Sequence, residues 1–163
     1  MTLEQKKGAV TGAVITGVCV LILCYVIYIF LNKDASYTVA FLASDAPLGV
    51  GITCFINCTI QVLSQKGNVK KGKVKSELDP DAQAAYVCKP RNPWLFILVQ
   101  AVIAYFIFGL GFVGLFYAFA PEAVFGRWVY IFIKALMTAL GSVPAVFHAN
   151  LYLPAYFTKK FAK

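Results

Sequence analysis

Acidic side chains are scarce in this chain. There are seven Asp and Glu against fifteen Lys and Arg, for a net charge of +8. With the boundaries drawn below, none of the seven falls inside a long apolar run, which argues against a carboxylate proton relay within the runs. Histidine is scarcer still, with His148 alone. Clusters of His, Asp or Glu that would build a membrane-embedded catalytic or metal centre are absent, as are the G-x-S-x-G, H-E-x-x-H, P-loop and dinucleotide motifs. The five cysteines, Cys19, Cys24, Cys54, Cys58 and Cys88, are odd in number and scattered, which does not suit a disulfide framework. Cys54 and Cys58 stand four apart on a helix, a wider spacing than the compact C-x-x-C redox pair, and read as small buried hydrophobes. No metal, cofactor or catalytic residue is expected, and nothing points to an enzyme.

Long polar stretches are also lacking, except one at 65–93 that holds Lys66, Lys70, Lys71, Lys73, Lys75, Lys89 and Arg91. Hydrophobic residues make up 60% of the chain, more than the half or so of an ordinary soluble domain. They gather in four runs, and a helix needs about 20 apolar residues to cross about 30 Å of hydrocarbon. The expected spans are 9–31, 47–63, 94–119 and 127–148, with an interfacial tail over 149–163. The first run follows Lys6 and Lys7 but is too long for a signal-peptide core, so it reads as a retained helix. Gly8, Ala9, Gly12 and Ala13 offer it small faces for close contact. Pro47 suits the first turn of the second helix. Gly109, Gly111 and Gly114 allow close packing or a bend late in the third. Pro144 should kink or end the fourth. The sequon at Asn57 falls inside a span and is set aside. Between spans, Asp79, Pro80 and Asp81 make a helix-start signature for a short surface helix over 82–87.

With four spans, the N-terminus, the 65–93 segment and the C-terminus share one side. That side holds twelve Lys and Arg, against Lys33 and Arg127 on the other. The positive-inside rule then places both termini in the cytoplasm. The basic segment resembles a nucleic-acid patch, but beside transmembrane runs it reads as an orienting anchor that touches anionic headgroups. No nucleic-acid partner is expected. Two hairpins result, running parallel. Setting Gly49 against Gly126, and hence Asn57 against Lys134, hints at a weak internal repeat.

The fold class expected is an all-α integral membrane protein with four helices in a single domain. Its polar side chains inside spans are the candidate site. Lys134 is the one charged residue within a run; it either snorkels to the interface or lines a path. Thr53, Asn57 and Gln61 make a polar stripe on one face, for hydrogen bonding between helices or for a solute path. Gln100 is the polar side chain of the third run. His148, close to Asn150, is either a titrating gate or an interfacial ring among aromatics. The first functional expectation is a small transporter or channel. A lone intramembrane cation would favour an anionic or neutral solute. The second is a non-catalytic membrane subunit or scaffold. So small a helix set also suggests a homo-oligomer or a membrane-protein partner.

Overall fold

A computed structural model of the 163-residue chain describes residues 3–30, 36–76, 79 and 92–161. Lys33, Pro80, Asp81, Cys88, Lys89, Arg91 and the surface helix expected over 82–87 lie outside the described residues. The architecture is helical. Helix α1 spans Leu3–Phe30, α2 Val39–Lys70, α3 Pro93–Ile103, α4 Gly111–Phe119 and α5 Arg127–Phe161. A π-helical segment, Ala104–Leu110, joins α3 to α4 without a break. Two short strands, β1 (Tyr37–Thr38) and β2 (Val124–Phe125), pair antiparallel.

Three helices are long and apolar enough to cross a membrane among the described residues: α2, the continuous Pro93–Phe119 rod and α5. This corrects the expectation of four spans. In α1 the apolar stretch among the described residues is Val10–Leu23. The expectation of both termini on one side rested on four crossings, and three helices of spanning length do not carry it. The pairing of helices also differs from two hairpins. Helix α1 packs along α5 rather than against its sequence neighbour α2, and α2 packs against both α5 and the Pro93–Phe119 rod, which also touches α5. No clear repeat pairing of two halves is seen among the described residues.

The helices run beyond the boundaries drawn from hydropathy. Thr38 caps α2, its side chain accepting from the Phe41 N–H, so the helix starts well before Pro47 and absorbs that proline into its interior. At its other end α2 continues to Lys70, taking in the first residues assigned to the polar loop. Helix α5 passes through both Pro144 and Pro154. A proline inside a helix removes one backbone bond and costs about 3 kcal/mol or more. Burial of Ala145, Val146, Ala149, Leu151, Tyr152 and Leu153 offsets that here. Within the stretch expected as an interfacial tail, Ala149, Leu151–Ala155 and Phe157 are buried, while Lys159, Lys160 and Phe161 are exposed. At about 1.5 Å per residue, the 32 residues of α2 and 35 of α5 reach about 48 and about 52 Å, so both project past the hydrocarbon.

Glycine sets how closely the rods approach. A Cβ on Gly109 would lie 2.7 Å from Pro47 Cα, so the π segment sits directly on the α2 backbone where the proline interrupts it. Gly141 meets Val50 in the same way, its imagined Cβ 2.8 Å from a Val50 methyl. The core between these contacts holds Leu42, Ala46, Val50, Cys54, Cys58, Phe96, Ile97, Met137 and Tyr152.

Candidate polar seam between two parallel helices

The two strands decide how α2 and α5 meet. Thr38 pairs with Val124 and Tyr37 with Phe125 immediately before the two helices begin. Tied at their N-terminal ends, the helices leave in the same direction and pack side by side. Their contacts keep one offset along the chain. Tyr130 donates to Asp45, Asn57 Nδ2 donates to Ser142 Oγ at 3.3 Å, and Gln65 Nε2 donates to Asn150 Oδ1 at 3.0 Å; each pair is separated by 85 positions. From Asp45 to Gln65 is about 30 Å of helix rise. On α2 the seam reads Asp45, Gly49, Thr53, Asn57, Gln61 and Gln65, each four residues from the next, so successive members are neighbours on the helix surface.

The charged end of the seam is a three-residue cluster. Lys134 forms an ion pair with Asp45, and the Tyr130 hydroxyl donates to the same carboxylate oxygen. The Lys134 side chain is 4% exposed and that of Asp45 34%, so the ammonium is inside the packing and the carboxylate is its link to the surface. Gly49 leaves room for the lysine stem, since a Cβ there would come 3.2 Å from Cε. The Tyr130 ring is buried and stacks on Tyr37 at 4.3 Å between centroids, with Phe41 beside it at 5.6 Å. Strand β1 thus covers the phenol whose hydroxyl holds the acid. One turn on, the Thr138 hydroxyl donates back to the Lys134 carbonyl, a bond internal to α5.

The earlier expectation that Lys134 has no acidic neighbour within the membrane helices is corrected. Pro47 resembles a helix start, which leaves Asp45 outside the expected 47–63 span, whereas it lies in the second turn of α2. The lysine does not snorkel along lipid. The argument for an anionic solute from an uncompensated cation also falls, because the pair is neutral overall.

The remaining candidates fall at other levels. Asn57 meets Ser142, about 12 Å further along α5 than Lys134, so the two residues share a seam but not a contact. Thr53 and Gln61 are half-buried on the same face of α2. Gln100 is buried and reaches His148 Nδ1 from the neighbouring rod at 3.5 Å, joining α3 to α5 toward the far end. Asp45, Tyr130, Ser142 and Gln65 were missed from sequence. The signal for Asp45 and Gln65 was their place in the four-residue series of α2; Tyr130 and Ser142 stand in the matching series around Lys134 and Thr138.

Beyond the seam, Ser76 N–H donates to Thr158 Oγ1 at 3.1 Å, and Lys159 lies 3.7 Å from Asp79, folding the chain after α2 back onto the end of α5. Lys66, Lys70, Lys71, Lys73, Lys75, Lys159 and Lys160 are exposed around this end. They sit where the carbonyl ends of both helices favour positive charge. Cys54 and Cys58 are buried in the core, and no group of three metal-ligating side chains occurs among the described residues.

No protein-family model, curated protein or solved structure matches this chain. Its long apolar helices make it a multispanning, largely helical membrane protein.

Proposed function

We propose that this protein passes a small solute or ion across the membrane along the α2–α5 seam. The observation that carries the reading is the Asp45–Lys134–Tyr130 cluster. Ionisable groups within membrane helices are expensive to keep, and they mark substrate, ion or proton pathways. Lys134 and Asp45 together form the charged gate, and Thr53, Asn57 and Gln61 continue the polar face beyond it, with Gln100 and His148 toward the far end. Passage requires α2 and α5 to separate locally, releasing the paired side chains to hydrogen-bond the solute. With three spans, the basic end of α2 and the end of α5 share one side, and the lysine excess there orients that side toward the cytoplasm. The same lysines would rest on anionic headgroups.

A second reading has one observation in its favour. The Asn57–Ser142 and Gln65–Asn150 bonds satisfy seam side chains within the protein. Such bonds also hold helices together in non-catalytic subunits and scaffolds. Reconstitution separates the two. Vesicles containing the protein are assayed for chloride, proton and glycerol flux, with Asp45→Asn, Lys134→Ala and Asn57→Leu compared as monodisperse preparations. The transport reading expects flux in the parent and its loss in the first two variants. Absence of all three fluxes, together with a membrane protein that co-purifies with the parent and not with the variants, supports the subunit reading.

A further inference from the structure

We propose that the groove between α1 and α5 is a binding site for one acyl chain of an anionic phospholipid, with its phosphate held by Arg127. The groove has a volume of about 490 Å³, within the range of small-molecule sites, and lies away from the polar seam. Its walls are Leu21, Ile22 and Tyr25 on α1 and Trp128, Ile131 and Ala135 on α5. Every one is apolar or aromatic, which suits a hydrocarbon chain and no polar ligand. Two helices form the walls because α1 crosses to α5: Val20 packs against Ala135 and Ala139, and small residues there keep the floor low.

The two ends of the groove differ, and that difference selects the occupant. At one end Tyr25 stacks on Trp128, with ring centroids 5.7 Å apart, in an aromatic pair of the kind found at the headgroup level. Arg127, the first residue of α5, lies over the Trp128 ring at 5.2 Å. A guanidinium presents a planar fork of donors that matches phosphate, and here it also sits at a helix N-terminus, where anions are favoured. The groove then runs from Trp128 toward Ala135, about 10 Å deeper along α5, through apolar side chains only. A ligand with an anionic head and one apolar tail fits this polarity; a helix from a second copy would place no negative charge at Arg127.

Trp128 supplies the readout. With Trp94→Phe removing the other tryptophan, the protein is placed in phosphatidylcholine vesicles containing either brominated-chain phosphatidylglycerol or brominated-chain phosphatidylcholine. Quenching of Trp128 should reveal about fivefold preference for phosphatidylglycerol, the effect of one well-placed basic residue at a membrane surface. Arg127→Gln should abolish the preference, and Arg127→Lys should keep most of it. Ala135→Phe, which fills the groove, should reduce quenching by both lipids. Equal quenching by the two lipids in the Arg127 protein, or a preference that survives Arg127→Gln, overturns the proposal. So does quenching that falls as protein concentration in the bilayer rises, since a second copy would then occupy the groove. Helical circular dichroism of each variant distinguishes loss of the site from loss of fold.

Discussion

Asp45 on α2 and Lys134 on α5 form an ion pair within the packed helices, and the Tyr130 hydroxyl binds the same carboxylate. The two members of the pair are not equivalent. Lys134 is enclosed, whereas Asp45 is one-third exposed. Removing the acid leaves an enclosed cation without its counter-ion; removing the lysine leaves an acid that still reaches the surface and keeps Tyr130. Asp45→Asn should therefore destabilise more than Lys134→Met, by about 3 kcal/mol against about 1–2 kcal/mol. The double variant should recover part of the loss. Thermal unfolding in detergent, arranged as a double-mutant cycle, measures the coupling; additive losses would show that the pair contributes nothing.

The parallel register of α2 and α5 makes a positional prediction. In a chain with its five native cysteines replaced by alanine, Asn57→Cys with Ser142→Cys should form a disulfide readily. Asn57→Cys with Lys134→Cys should not, because those positions are about 12 Å apart along the seam. Gel mobility before and after reduction reads the result. Cross-linking of the second pair would refute the register in which Asn57 meets Ser142.

Glycines at two crossings should tolerate nothing larger. Gly109→Ala places a methyl 2.7 Å from the Pro47 backbone, and Gly141→Ala one 2.8 Å from Val50. Each should cost about 1–3 kcal/mol as overpacking. Gly114 has no neighbour within 4 Å, so Gly114→Ala should be neutral or stabilise by about 0.5–1 kcal/mol through its helix preference. Equal melting temperatures for all three would refute the close approach.

How far the fold could be read beforehand follows from the range of each signal. The apolar runs under α2, the Pro93–Phe119 rod and α5 are visible because hydropathy is local. The helix ends are not, because proline and charge look like boundaries in sequence while packing carries the chain through Pro47, Pro144 and Pro154. Thr38, three residues before Phe41, was the one local sign of the earlier start of α2. Lys134, Asn57, Gln100 and His148 stand out by being polar in apolar surroundings. Their partners lie 48 to 89 positions away and depend on which helices adjoin, a choice made by the two short strands and by α1 crossing to α5. Helix count differs as well: among the described residues three helices are long and apolar enough to cross a membrane.

Shortening the seam's polar contacts should have small effects on stability and large ones on passage. Asn57→Leu with Ser142→Ala removes one interhelical bond, about 0.6 kcal/mol in a membrane setting. The unfolding midpoint should move little, while solute flux along a path lined by Asn57 should fall several-fold. A large stability loss with unchanged flux would make the pair structural only.

The most direct measurement is flux through vesicles containing the Asn57→Cys, Ser142→Cys protein in the alanine background, before and after reduction. If solute passes between α2 and α5, the oxidised protein should be blocked and a reductant should restore flux to the level of the uncross-linked chain. Full flux through a fully cross-linked seam would contradict the account, since the two helices could not then have parted.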